Sequence, residues 1–214
     1  MGNLHLADSN FWISPNYRAD DWRNLKLDAP DSPDWVNAVE IFHDRIHGRF
    51  LAPVEALTTH SDLKIRAFSG FAILAIDCLL IETLYQCYNG IPQTNIKHED
   101  AFWLFFKSSS HFQPDFTEDV SKVFYRHIRC GILHQAQTKE HSKVKVGRSQ
   151  IAEPSDAANL NKGLVIDRER FHNALCCEIG EYESGLQNPQ TKRDSERRQN
   201  FLIKMGFIVP PLEA

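Results

Sequence analysis

Two residues with complementary chemistry, Arg129 and His134, stand five positions apart in the segment RCGILH. An imidazole has an ordinary pKa of about 6.5, so it can accept or donate a proton at neutral pH. A guanidinium stays charged and can bind two oxygens of one phosphate. The pair therefore offers the proton transfer and the phosphate binding that cleavage of a phosphodiester without a metal ion requires.

The sequence around this pair is basic, although the chain as a whole is acidic. Residues 122–148 contain seven Lys and Arg residues and one Glu, whereas the 214-residue chain has a formal net charge of −4. A concentrated positive charge attracts polyanions. We expect the basic residues other than Arg129 to contact a phosphate backbone, and the alternative is an ordinary solvated face. These residues are Lys122, Arg126, Lys139, Lys143, Lys145 and Arg148.

The pair lies near the end of a helix predicted over residues 116–137, with Thr117 as its cap. On a helical wheel, Val120, Phe124, Ile128, Gly131 and Ile132 form the stripe that faces the core. The opposite side carries Arg126, Arg129, Cys130, Leu133 and His134. Apolar residues on an otherwise wet face indicate a second burial partner, so we expect a homodimer through this helix.

Asp77 and Glu82 interrupt the most apolar stretch of the chain, residues 68–88. Two carboxylates at the centre of a bilayer would be costly, so the stretch is predicted to be a buried helix and not a membrane span. Buried carboxylates need partners. We expect Glu82 or Asp77 to orient Arg129 without contacting the substrate itself. The alternative is a structural pair with Arg45, Arg49 or the backbone.

Other residues of metal-binding or nucleophilic type form weaker patterns. His43 and His47 are four residues apart, as are His172 and Cys176, but neither pair has a third ligand nearby in sequence. The five cysteines include no Cys-x-x-Cys motif, and no glycine-rich phosphate loop occurs. The first ten residues lack the pattern of a signal peptide. We therefore predict no metal and no cofactor, and a cytoplasmic protein with free thiols.

The remaining pattern predicts an all-α fold, a mainly helical bundle with a small β-hairpin insertion. Residues 143–148 and 163–167 are predicted as the two strands of the hairpin, joined by a long polar loop. The helices are predicted over residues 35–59, with a break at Pro53, and over 68–88, 99–108, 116–137, 168–186 and 191–205. The chain divides into an N-terminal arm at 1–34, a helical domain at 35–186 with the hairpin near 143–167, and a C-terminal helix and tail at 187–214.

The Arg-x4-His arrangement near the end of a late bundle helix resembles the motif of HEPN domains. The resemblance covers roughly residues 35–186. It implies a dimeric, metal-independent endoribonuclease of a toxin–antitoxin or antiphage defence system, with Arg129 and His134 as its catalytic residues. RNA, a second copy of the chain and an antitoxin or regulatory protein are the implied partners, and the RNA product carries a 2′,3′-cyclic phosphate.

The chain departs from the HEPN pattern at two positions. Cys130 stands where many HEPN ribonucleases have Asn, Asp or His, and Ala136 stands where some toxins have the tyrosine to which AMP is attached. Two other functions therefore stay open: a non-catalytic helical dimer that binds RNA or a protein partner, which Cys130 favours, and a metal-binding helical protein.

Overall fold

The structure of the chain is a computed structural model that describes residues 9–212. It is mostly helical with one small β-sheet, which confirms the predicted fold class. The first eight residues of the predicted arm, and most of the segment used to exclude a signal peptide, lie outside the described residues.

The six predicted helices are found close to their predicted positions, with differences at their ends, and two short helices, Ala19–Arg23 and Leu63–Phe68, were not predicted. The helices are α1 Ala19–Arg23, α2 Asp34–Ile46, α3 Ala52–Thr58, α4 Leu63–Phe68, α5 Gly70–Asn89, α6 His98–Ser108, α7 Glu118–Val123, α8 Cys130–Gln135, α9 Arg168–Gln187 and α10 Lys192–Ile208. Two π-helical segments join helices end to end, His47–Leu51 between α2 and α3 and Phe124–Arg129 between α7 and α8. Short 3-10 turns cover Ser110–Phe112 and Leu160–Lys162.

Helix α5 is the central element of the bundle. It is apolar on almost every side and packs against α6, α9 and α10. Among the helices of residues 9–212, α5 is the one whose length and composition would allow it to cross a membrane. Its neighbours cover it on several sides, so here it is the core helix that the sequence predicts.

An aromatic cluster fills the core on one side of α5. Phe106 stacks on Phe116 with ring centroids 4.0 Å apart, and Phe124 stacks on Phe171 at 5.0 Å. All four rings are fully buried. The cluster ties α6, the π segment before α8 and α9 together, and so it fixes the position of the helix that carries Arg129.

The β insertion differs from the predicted hairpin. Strand β1 (Lys143–Lys145) runs parallel to β3 (Leu164–Asp167), with Val144 opposite Ile166. Strand β2 (Ala152–Pro154) runs antiparallel to β3 from the other side, giving the order β1-β3-β2. The prediction that residues 143–148 and 163–167 form a hairpin is therefore wrong. The predicted loop between them contains β2 and is long enough to serve as a crossover, which a parallel pair requires.

The two flanking regions of the predicted domain contribute to the same core. Trp22 of α1 packs edge-on against Phe201 of α10, with ring centroids 5.5 Å apart. Arg198 of α10 donates hydrogen bonds to the carbonyls of Leu186 and Pro30. Residues 9–34 and 187–212 are thus packed against the helical domain and share its apolar interior.

Candidate active site

The helix that carries Arg129 and His134 is not a regular α-helix. Thr117 caps it as predicted, its hydroxyl accepting from the backbone N–H of Val120. After Val123 the hydrogen-bond pattern changes to a π-helix, which ends at Arg129. Segments of π-helix are rare and are often found at functional sites. The α pattern resumes in α8 and stops at Ala136, whose φ of 52° is left-handed.

The predicted faces of this helix are largely confirmed. Phe124, Ile128 and Ile132 are buried, and Leu133 and His134 are exposed. Arg129 is the main difference, because only 17% of its side chain is exposed to solvent. The guanidinium lies against α5 instead of projecting into water.

Gly131 allows a close approach of the chain to itself. A Cβ at this position would lie 2.5 Å from the carbonyl oxygen of Gln137, in the segment that turns back after α8. Backbone at that distance cannot move aside as a flexible side chain can. The missing side chain therefore allows the segment after α8 to pack against the helix between Arg129 and His134.

The guanidinium of Arg129 has an acidic partner and an aromatic one. Its Nη2 lies 3.4 Å from Oε2 of Glu82 on α5, and its centre lies 5.4 Å from the ring centroid of Tyr125. Its Nε is buried and has no hydrogen-bond acceptor among residues 9–212. The structure thus brings together Glu82 and Arg129, one of the two pairings that the sequence suggests.

Glu82 also contacts a histidine that the sequence analysis did not identify. The Nδ1 of His98, the first residue of α6, lies 2.8 Å from Oε1 of Glu82. Thr94 donates a longer hydrogen bond, 3.3 Å, to the same oxygen. His98 has no spacing relation to Arg129 or His134, so its contact with Glu82 could be found only from the packing of α6 against α5.

A groove of about 320 Å³ opens beside this network, between α5 and α8. Glu82 and Arg129 line it together with Leu79 and Leu133. Both leucines are nearly half exposed, at 46% and 47%. The groove therefore combines a charged end with two uncovered apolar side chains, as a site for a phosphate-bearing ligand or a second copy of the chain would.

His134 stands apart from Arg129 within one copy of the chain. In the described structure it is exposed, and no hydrogen bond or ion pair joins it to Arg129. Arg129 lines the groove, whereas His134 is not among the groove's lining residues, so the two do not form a contact pair within one copy of the chain.

The residues predicted to contact RNA fall into two groups. Four of the seven basic residues of 122–148 have acidic partners from outside this segment: Lys122 with Glu118, Arg126 with Glu99, Arg129 with Glu82, and Arg148 with Glu153. These pairs reduce the positive field that the sequence suggests. Lys139, Lys143 and Lys145 have no acidic partner within residues 9–212, and the last two are exposed on β1.

Asp77 has a different partner from those expected. It is fully buried, and its Oδ1 lies 2.7 Å from Nδ1 of His172 on α9. Arg45 and Arg49 instead donate to the backbone carbonyls of Ile13 and Trp12. The expectation that Asp77 pairs with Arg129, Arg45 or Arg49 is therefore wrong, because α9 passes closer to this turn of α5.

The pair of Asp77 and His172 continues to a cysteine. The Nε2 of His172 lies 3.4 Å from Sγ of Cys176. Burial lowers the pKa of His172, but the hydrogen bonds to Asp77 and Cys176 and the nearby negative charge outweigh burial and raise its pKa to about 10. Burial raises the pKa of Asp77, and His172 offsets part of that rise.

The other histidines suggest no metal centre. His43 stacks on His47 and contacts Glu183 at 3.2 Å. One group in residues 9–212, His111 with Glu178 and Glu181, has its ligand atoms within 4.8 Å of one another. Glu178 already accepts hydrogen bonds on both carboxylate oxygens, from Tyr88 and Ser109, and is satisfied without a cation. The absence of a metal stays a prediction.

Comparison with known proteins adds no assignment to this geometry. The sequence matches no protein-family model, and neither the curated proteins nor the solved structures give a significant match.

Proposed function

We propose that the protein is a homodimeric, metal-independent endoribonuclease of HEPN type, acting in the cytoplasm in antiphage defence or growth control. One observation supports this proposal above the others. Arg129 is held by Glu82 at the edge of a groove that also exposes Leu133, and His134 lies exposed on the next turn of the same helix.

Arg129 binds the scissile phosphate in this proposal. Glu82 and Tyr125 restrict the guanidinium to one orientation, and the N–H at Nε has no acceptor within the described residues. A phosphate oxygen can supply that acceptor after a small movement of the side chain. Positioned charge of this kind stabilises the extra negative charge that develops on the phosphorane.

His134 transfers the protons. It accepts the proton of the ribose 2′-hydroxyl, whose oxygen then attacks phosphorus, while the departing 5′-oxygen must gain a proton. One imidazole cannot perform both steps at once, so the second proton comes from the His134 of a second copy of the chain. Leu79 and Leu133, uncovered in a single chain, would be buried in that dimer.

The test is digestion of RNA in the presence of EDTA, with the protein and its variants at equal concentration. We expect Arg129→Ala and His134→Ala each to lower the cleavage rate about 100-fold or more, because each removes a group that acts in the transition state. The product should end in a 2′,3′-cyclic phosphate. His47→Ala, which removes an exposed imidazole from another helix, is the matched control and should cleave normally.

A dimer measurement accompanies this assay. Leu133→Lys replaces one of the two exposed leucines that line the groove with a charged residue. We expect analytical ultracentrifugation to show that this variant is a monomer, and we expect it to lose cleavage activity. Full cleavage by His134→Ala, with its fold and its dimer intact, would contradict the proposal.

A second candidate is a non-catalytic dimer that binds RNA. Two observations favour it: no contact joins His134 to Arg129 in a single chain, and Lys139, Lys143 and Lys145 have no acidic partner within residues 9–212. In that case RNA would bind in a gel-shift assay and remain uncut, and His134→Ala would bind as well as the unchanged protein does.

A further inference from the structure

Three side chains outside the groove form a hydrogen-bonded series: Asp77 on α5, then His172 and Cys176 on α9. The distances are 2.7 Å from Asp77 Oδ1 to His172 Nδ1 and 3.4 Å from His172 Nε2 to Cys176 Sγ. His172 and Cys176 are four residues apart on one helix, so they lie on the same face. The proposed ribonuclease mechanism uses none of the three.

The buried end of the series fixes the histidine. Asp77 is fully buried, and its second oxygen, Oδ2, has no hydrogen-bond partner among residues 9–212. Among residues 9–212, the hydrogen bond of this carboxylate therefore goes to His172. By accepting a hydrogen bond from Nδ1–H, it directs the other ring nitrogen, Nε2, toward the sulfur of Cys176.

The other end of the series is accessible. Cys176 is partly exposed, whereas Cys78 and Cys87 are fully buried. An open cavity of about 220 Å³ reaches His172 from the solvent, with Thr58 and Asn173 among the residues that line it. A small reagent can therefore approach the imidazole.

This order of groups is the one that activates a thiol. A cysteine beside an imidazolium is more readily deprotonated, and the thiolate is the nucleophile. A carboxylate behind the imidazole keeps the ring oriented and stabilises its positive charge. The high pKa of His172 agrees with a ring that retains its proton beside Cys176.

We propose that Cys176 is the nucleophilic cysteine of this chain and a site of covalent modification by small electrophiles, with peroxides as the chemical class. The thiolate attacks one oxygen of hydrogen peroxide, and the O–O bond breaks. The sulfur loses two electrons and becomes a sulfenic acid. The departing hydroxide takes the proton from Nε2 of His172 and leaves as water.

Cys130 is the natural comparison within the chain. It is also partly exposed and lies beside the cationic Arg129, but its sulfur makes no hydrogen bond to a histidine among residues 9–212 and lies near the hydroxyl of Tyr125. Burial, followed by the nearby Cys130, raises the pKa of Tyr125 to about 12, so this phenol does not accept the thiol proton near neutral pH. We therefore expect Cys130 to react more slowly than Cys176.

The experiment measures the modification rate of each cysteine in the folded protein at pH 7. Iodoacetamide alkylates a thiolate with loss of iodide, and mass spectrometry of the digested protein follows all five cysteines over time. Cys177, the adjacent and more exposed residue, is a matched internal control. We expect Cys176 to react about tenfold faster than Cys177 or Cys130, because only its sulfur lies within hydrogen-bond distance of a histidine among residues 9–212.

Two variants distinguish activation of Cys176 by His172 from a reactivity that depends only on the exposure of Cys176 to solvent. His172→Gln should lower the rate at Cys176 about tenfold and leave Cys177 and Cys130 unchanged, since only Cys176 depends on the imidazole. Asp77→Asn should lower it to an intermediate value. Faster reaction at Cys177 or Cys130 in the unchanged protein would overturn the proposal without any variant, and so would a Cys176 rate that His172→Gln does not alter.

A second reagent tests the peroxide step. The folded protein is treated with hydrogen peroxide and dimedone, which forms a stable adduct with sulfenic acid. We expect the adduct at Cys176 and its loss in His172→Gln. An adduct elsewhere, or none in the unchanged protein, would overturn the assignment of peroxides as the reagent class.

Discussion

Asp77 and Glu82 lie five residues apart on α5, and each contacts the Nδ1 of a histidine from another helix at nearly the same distance. The separation is 2.7 Å from Asp77 to His172 and 2.8 Å from Glu82 to His98. The difference between the two pairs is their burial. Asp77 is fully buried, whereas 19% of the Glu82 side chain is exposed, and Glu82 also contacts Arg129 and Thr94.

The comparison shows that a carboxylate paired with a histidine can serve different purposes, depending on how deeply the carboxylate is buried. At Asp77 the low-dielectric surroundings make the partner indispensable, because an unpaired charge there has no water to solvate it. At Glu82 three donors share a partly exposed carboxylate, so one contact can be exchanged for a ligand while the other two remain. The first arrangement suits a fixed proton, and the second suits the binding and release of a phosphate by Arg129 that we propose.

The largest effect should come from removing the buried carboxylate. Asp77→Ala leaves His172 without its anionic partner, and we expect a loss of about 3 kcal/mol in the free energy of unfolding at pH 6. Glu82→Gln should cost less, about 1 kcal/mol, because the amide has the shape of the carboxylate and its oxygen can still accept a hydrogen bond. Urea unfolding followed by circular dichroism measures both values, and equal losses would remove the distinction between the two regions.

The buried pair should also make stability depend on pH. The pKa of His172 is about 10 in the folded chain, above its ordinary value, so the folded state binds more protons than the unfolded state between these two pKa values. Its stabilising contribution is present below the ordinary histidine pKa and is lost as the pH rises through the folded one.

Unfolding measured at pH 7 and at pH 9 tests this dependence. We expect the stability advantage of the unchanged protein over His172→Gln to shrink by about 2 kcal/mol between these pH values. An advantage that stays constant would mean that His172 does not hold its proton more tightly in the folded chain.

At the pair of Glu82 and Arg129, which is buried less completely than Asp77, the expected effect is on activity. Glu82→Gln weakens the hold on Arg129, and we expect RNA cleavage to fall about tenfold because the phosphate-binding group is less well positioned. Asp77→Asn is the control at the other pair and should cleave within about twofold of the unchanged protein, since it does not contact Arg129. The opposite ranking of these two rates would place the proposed site at the wrong carboxylate.

The smallest effect should come from the unpaired lysines on β1. Lys143→Ala with Lys145→Ala should weaken RNA binding a few-fold, and the slope of log affinity against log salt should fall by about 1.4 for two single-strand phosphate contacts. Arg126→Ala, which removes a residue paired with Glu99, should change the slope less. Filter binding at several salt concentrations gives the slopes, and an unchanged slope for the double variant would exclude β1 from the RNA path.

Local sequence signals predicted the local features well. Thr117 was identified as a cap because a hydroxyl before Glu118 and Asp119 is a short-range signature, and the break near Pro53 follows from its missing N–H. The buried α5 follows from its uniform apolar character. In the candidate site, the sequence suggests the pairing of Glu82 with Arg129 as one alternative, because a buried carboxylate needs a partner.

Features set by long-range packing could not be found in this way. Asp77 and His172 are 95 residues apart, and no periodicity relates them. The parallel pairing of β1 with β3 depends on β2, a strand of three residues that is too short to show an alternating pattern. His98 lies beside Glu82 only because α6 begins at that point.

The π segment Phe124–Arg129 has a consequence for how this site tolerates change. A π turn accommodates roughly one residue more than an α turn, so removing a single residue from the segment would restore a regular helix. Both kinds of turn close one rotation, so α8 would keep roughly its direction relative to α7 after that deletion. A deletion within α8 has no such compensation and would rotate the residues after it by about 100° relative to Arg129. The relative direction of the guanidinium and the imidazole is thus encoded in the number of residues between them as well as in their identity.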